Sequence, residues 1–243
     1  MEDLLSWRRM FQGFFRRLGR YWLPCGLLSL LAFLPLAGLS LLSPSGYGEH
    51  DWWEFALQAV LLCRFLTPMA ACLIVTYLAR QDGRCAPETS LRQGLTMTPA
   101  AVGLVLAVWG FTGLASLFLV LPGLSFLLGS SVALPILVVE KTSVPEAARR
   151  SWERTRHVRD SLLLFWSVFL VLSAALLSLV ALASGGVRLE ELWVEPWAES
   201  AAFLPLVFAC SMIYAAAICA VYELYRLLDV TDFERPPTTE EPS

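Results

Sequence analysis

The chain contains no asparagine, a single lysine (Lys141) and two histidines, His50 and His157, among 243 residues. Without asparagine there is no N-glycosylation acceptor. The two histidines have no metal-ligand spacing to each other or to a cysteine. Phosphate-cradling glycine loops and the His-Glu-x-x-His pattern are also missing, so no metal, cofactor or enzymatic centre is expected. Charged residues make up only 16% of the chain against 57% hydrophobic ones, which is too apolar for an ordinary soluble domain. The short alternating segments of a membrane β-barrel do not occur either. Arginine in place of lysine and the lack of asparagine suggest a GC-rich bacterial genome.

What the chain has instead is long uncharged runs. A bilayer core of about 30 Å needs roughly 20 apolar residues of helix, and helices satisfy every backbone amide internally, as lipid demands. Six segments meet the need: Trp22 to Leu42, Trp53 to Ala79, Pro99 to Leu121, Leu124 to Glu140, Ser161 to Ala183 and Ala201 to Leu227. The fold class predicted is all-α: a polytopic membrane protein of about six transmembrane helices plus two interfacial amphipathic helices. The expected divisions are an amphipathic helix over 1–21, a transmembrane domain over 22–230 containing an interfacial helix at 144–157, and a disordered tail over 231–243. Leu121-Pro122-Gly123 reads as a tight turn between the third and fourth spans. Five cysteines (Cys25, Cys63, Cys72, Cys210, Cys219) fall inside spans and Cys85 in a connection, so all read as free thiols.

The cations are distributed unequally. One set of connections and chain ends carries sixteen of them, from Arg8 to Arg235, and the opposite set carries only Arg188. Under the positive-inside rule both termini face the cytoplasm, and the localisation expected is a bacterial inner membrane. The opposite loops are acidic, with Glu49, Asp51, Glu190, Glu191, Glu195 and Glu199.

Two stretches concentrate these arginines. In Asp3 to Tyr21, apolar residues recur at three- and four-residue spacing with Arg8, Arg9, Arg16, Arg17 and Arg20 mostly between them. That pattern describes a basic helix lying in the interface and meeting anionic headgroups. In Val144 to His157 a similar helix carries Arg149, Arg150, Arg154 and Arg156 opposite Val144, Ala147, Ala148, Trp152 and Thr155. Ser143 and Glu146 have the spacing of a capping box, and Pro145 falls in the first turn. These nine arginines are the candidate anionic-lipid ligands. Ser6-Trp7-Arg8-Arg9 and Ser151-Trp152-Glu153-Arg154 look alike, as a duplicated unit would.

Between Pro122 and Thr155 the residues form a recognisable block: Pro122-Gly123 after an apolar run, Pro135, Val138-Val139-Glu140, Ser143, Glu146-Ala147, Arg150-Ser151-Trp152 and Thr155. The block resembles the bacterial membrane domain attached to some glycerophosphodiester phosphodiesterases and the related YciC-like envelope proteins. It covers about a seventh of the chain, and Pro122, Gly123, Glu140, Ser151 and Trp152 are its most telling positions. The resemblance implies a six-helix bundle in the cytoplasmic membrane. In that family catalysis resides in a separate soluble barrel, for which this chain has no room.

Arg64 stands near the middle of the second span, where an arginine costs ~2.5–3.5 kcal/mol on insertion scales. Pro68, four residues on, frees its carbonyl. Pro135 likewise frees the carbonyl of Ser131, beside Ser130 and Gly129. Broken helices with polar groups at that depth suit a transporter or flippase for an anionic amphiphile. The favoured reading is a non-enzymatic envelope protein that binds or organises anionic lipid, a membrane-protein partner or a second copy of itself, and not nucleic acid. In the last span Ser211, Ala215, Ala216 and Ala220 provide faces for close helix contact, and Tyr222 and Tyr225 read as interface anchors.

Overall fold

The computed structural model describes residues 2–41, 49–84, 90–118, 120–183 and 203–234. Among them the chain is almost entirely helical, with no strand. The helices are α1 (Glu2–Leu41), α2 (Glu49–Gln81), α3 (Ser90–Phe118), α4 (Val120–Gly129), α5 (Ala133–Val139), α6 (Val144–Thr155), α7 (Arg159–Ala183) and α8 (Phe203–Glu234). Five stretches are long and apolar enough to cross a membrane: Met10–Pro35, Leu61–Gln81, Arg92–Ser116, Arg159–Val180 and Pro205–Asp229. The protein is an all-α polytopic membrane protein.

The core is built on α1, α2 and α8. Helices α1 and α8 run antiparallel, in register from Arg17 beside Glu223 to Ser29, whose hydroxyl donates to the Ser211 carbonyl at 2.7 Å. Small side chains allow this approach. Ser211 and Ala215 are fully buried, as the small-residue pattern predicts, and Gly26 lies against the end of the Met212 side chain, which a Cβ would push aside. Helix α2 returns along α1, with Tyr21 against Tyr77. Helix α7 joins through its first turns only, where Phe165 and Phe169 meet Phe11 and Phe14. The rest of α7, from Leu170 to Leu182, is largely exposed apolar surface, as a helix seated in lipid would be.

Four expectations need correction. The segment Leu124 to Glu140 is not one helix. It breaks at residues 130–132 into α4 and α5, neither long enough to cross alone. The pair nevertheless returns along α3 from end to end. Gly123 lies against Thr112 and Ser116, and Gln93 Nε2 donates to the Val138 carbonyl at 2.8 Å. Second, Pro122 and Gly123 are not the turn. They lie in the first turn of α4, where proline's missing N–H leaves no bond unmade. Third, residues 2–21 are not a separate interfacial helix. Helix α1 is continuous to Leu41, with Pro24 and Pro35 inside it. Fourth, α8 continues to Glu234, four residues into the expected tail. The remaining tail, both acidic loops apart from the helical start of α2, Arg188 and Cys85 lie outside the described residues.

Candidate functional site

The family-like block folds into an interlock centred on Gly129. Helix α4 ends there, so its last carbonyls lack intrahelical partners. Helix α6 supplies them: Ser151 Oγ donates to the Gly129 carbonyl at 2.7 Å and Thr155 Oγ1 donates to the same oxygen at 3.2 Å. Between these two residues Trp152 lies directly on Gly129, where any Cβ would overlap the indole. Phe126 packs against the same indole at 6.1 Å between centroids, and Arg159 lays its guanidinium over it at 3.9 Å. Ser151, Trp152, Thr155 and the break after Gly129 therefore form one unit. The capping box is not formed, because the Ser143 side chain makes no cap hydrogen bond although its backbone occupies the N-cap position. Glu146 is instead taken by Arg149 and Arg150.

A second arrangement gathers charge where the ends of α2, α5 and α6 meet α8, with α1 packed against α2 and α8. Arg17 is buried and donates to Asp82 at 3.1 Å and to Glu223. The Tyr222 hydroxyl donates to the other Asp82 oxygen at 3.0 Å, and Arg226 holds Glu223 at 2.9 Å. Gly13 makes room for this carboxylate, since a Cβ there would run into it. Beside this group, Glu140 accepts from Arg150 at 2.8 Å and from Arg154 at 2.7 Å. Asp229 accepts from Arg84 at 2.8 Å, and Arg84 and Arg154 both approach the face of Tyr225. Burial opposes the charge on Arg154, but Glu140 and then Asp229 more than offset it, so its pKa is raised. Glu146 is held at about 2, below the usual carboxylate range, by hydrogen bonds from Arg149 and Arg150.

These contacts divide the nine candidate lipid ligands. Arg17, Arg150 and Arg154 are corrected: they are engaged by carboxylates within the bundle, because Asp82, Glu223 and Glu140 come level with them on folding. Arg149 is exposed yet paired with Glu146 and Glu153. Arg16, Arg20 and Arg156 are exposed and form no ion pair among the described residues, as do Arg80 and Arg92 at the same end of the bundle. Arg8 and Arg9 lie on the helical backbone of α1, and their side chains fall outside the described residues. Tyr222 and Tyr225 are likewise not surface anchors, being fully buried or nearly so.

The intramembrane candidates are not brought together. Arg64 is exposed, with its guanidinium over the Trp109 ring at 5.5 Å. Its carbonyl, freed by Pro68, accepts from Thr67 Oγ1 at 3.2 Å, and the Thr67 carbonyl accepts from the Tyr214 hydroxyl at 2.6 Å. The carbonyl that Pro68 leaves without an amide partner is thus satisfied within α2, as lipid requires. Ser130 Oγ donates back to Phe126 and Leu127 within α4, whereas Ser131 Oγ is buried without a partner. Arg159 is the residue that the sequence reading passed over. Only its position seven residues after Trp152, at the start of a span, could have singled it out.

No family model matches the chain, and no curated protein or solved structure matches it either.

Proposed function

We propose that this chain is a non-enzymatic protein of the bacterial cytoplasmic membrane, related to the YciC-like membrane domains, whose arginine-rich end holds anionic lipid. The observation that carries the reading is the partition of sixteen cations against one between the two sets of connections. Under the positive-inside rule that end, with both termini, faces the cytoplasm. The geometry supports the reading in a narrower form than the sequence suggested. Arg17, Arg150 and Arg154 tie the helices together, while Arg16, Arg20, Arg80, Arg92 and Arg156 remain free for headgroups. Each such arginine near an anionic surface contributes about 1 kcal/mol.

The test uses the full chain in detergent micelles, with thermal unfolding followed as lipid is added. Phosphatidylglycerol is expected to raise the midpoint more than phosphatidylcholine does, with the difference shrinking as salt screens it. Replacing Arg16, Arg80 and Arg92 together by Gln should remove most of that difference. Equal stabilisation by the two lipids would overturn the reading.

Transport past Arg64 is less well supported. Measured from Asp82, Arg64 stands 18 residues along α2, about 27 Å at the helical rise. That is close to the ~30 Å of a hydrocarbon core. Its long side chain then snorkels to the opposite headgroup layer beside Trp109, which suits an interface anchor better than a substrate path.

A further inference from the structure

Arg159 opens α7 and has no role in the charge network that joins the helices. Its guanidinium rests on the Trp152 indole at 3.9 Å. Its Nε and Nη2 atoms are shielded from solvent, and neither has a hydrogen-bond partner among the described residues. Arginine cannot relieve this by losing its proton. Buried donors are nearly always satisfied, so a covered and empty Nε–Nη2 edge calls for an acceptor. That edge is the one with which a guanidinium grips an oxyanion through two parallel hydrogen bonds.

The surroundings make the position a prepared one. Trp152 cannot shift toward α4 without meeting Gly129, and Ser151 and Thr155 pin its helix to the Gly129 carbonyl on either side of it. The indole is thereby a fixed platform that holds the guanidinium by cation–π attraction. Arg156, one turn earlier, is exposed and without an ion pair. Glu153, the nearest acid on α6, is already engaged by Arg149, and Asp160, next to Arg159 in the first turn of α7, is exposed and forms no ion pair with it. The local balance therefore favours an incoming anion over a protein carboxylate.

The geometry points to a phosphate site: Arg159, seated on Trp152, receives a phosphate group on its Nε–Nη2 edge, with Arg156 as the second cation. The side chains that cover the edge part as the anion enters. The ligand class is a phosphate ester, either the headgroup of an anionic lipid or a soluble ester. The lipid form rests on the function proposed above and names the place where such a lipid is held.

The experiment titrates the full chain in micelles with three probes: phosphatidylglycerol, diacylglycerol with the same acyl chains, and glycerol phosphate. Thermal midpoints are read, and bound lipid is counted by native mass spectrometry. Phosphatidylglycerol is expected to stabilise the wild-type chain and diacylglycerol is not. Arg159→Gln should weaken the phosphatidylglycerol response about tenfold, the loss of one charge-assisted contact, and retain one fewer lipid. Arg159→Lys should fall between, keeping the charge but not the fork. If glycerol phosphate stabilises the chain through Arg159 as well, the source is a soluble ester and the site stands. If Arg159→Gln responds like wild type while phosphatidylglycerol is still preferred, the site is wrong and the broader lipid reading survives. If the wild-type chain responds to neither phosphate probe, both fall. Should Arg159→Gln not fold, Trp152→Phe keeps an aromatic platform of weaker cation–π strength, and an unchanged response there would equally reject the site.

Discussion

Replacing Gly129 by alanine asks whether the α6 interlock holds as drawn. A Cβ at this position would overlap Trp152 Cε3 and Cζ3, and neither belongs to a flexible end. The indole is a rigid ring with Phe126 beside it and Arg159 on its face, so α6 must lift. Overpacking of this kind costs about 1–3 kcal/mol. Lifting also stretches the Ser151 and Thr155 bonds to the Gly129 carbonyl, worth about 0.6 kcal/mol each in a membrane protein. It loosens the Arg159–Trp152 contact as well, worth about 0.5–1 kcal/mol where exposed. The expected loss is about 3–5 kcal/mol. Gly110 supplies the control. It lies in α3, and a Cβ there meets nothing within 4 Å, so Gly110→Ala should be neutral or gain up to about 1 kcal/mol of helix propensity. Equilibrium unfolding of the two variants in mixed micelles measures both signs. A Gly129→Ala chain as stable as Gly110→Ala would mean that Trp152 does not sit on α4, and the interlock would be refuted.

The buried ion pairs should behave asymmetrically. Arg17→Ala leaves Glu223 and Asp82 without their shared partner and should cost about 3–5 kcal/mol, whereas Arg17→Met combined with Asp82→Asn and Glu223→Gln should cost much less; unfolding titrations of both variants decide it. Glu146 bears on pH. Its folded pKa of about 2 lies below the ordinary 4.5, so its support of α6 is complete above pH 4.5 and is lost as pH falls toward 2. Circular dichroism of wild type and Glu146→Gln should therefore coincide in their pH dependence from neutrality down to about pH 5 and diverge below it. Arg64→Leu should insert normally and stay within about 1 kcal/mol of wild-type stability, because the contact with Trp109 is worth only about 0.5–1 kcal/mol and a guanidinium that reaches the headgroup layer carries little of the mid-bilayer cost. A larger fall in stability would show that Arg64 has an inward partner.

The passage of helices through the membrane was legible because hydrocarbon imposes one requirement on every residue of a span, and a run such as Leu162 to Leu182 meets it without help from the rest of the chain. The roles of the arginines were not legible in the same way. Arg16 and Arg17 are adjacent and chemically identical, yet one is exposed and the other is buried against Asp82 and Glu223, which lie 65 and 206 residues away. An amphipathic pattern records which residues are charged and not whether lipid or a distant carboxylate neutralises them. Pro135 was a fair sign that the fourth segment would not be straight. The break at residues 130–132 contains Ser131, whose carbonyl Pro135 has no N–H to meet, and Ser151 and Thr155 receive the Gly129 carbonyl just before it. Gly129, Glu140, Ser151, Trp152 and Thr155 have no common helical period. What unites them is that α6 folds back on α4 and α5, so each satisfies or shapes a group on the opposite side of the turn. The surface this fold-back leaves behind carries Arg156, just past the end of α6, and Arg159, at the start of α7, while the other face of α6 is committed to α4 and α5. A sequence comparison restricted to spans would count the arginines there, but it would miss that the interlock decides which of them are free.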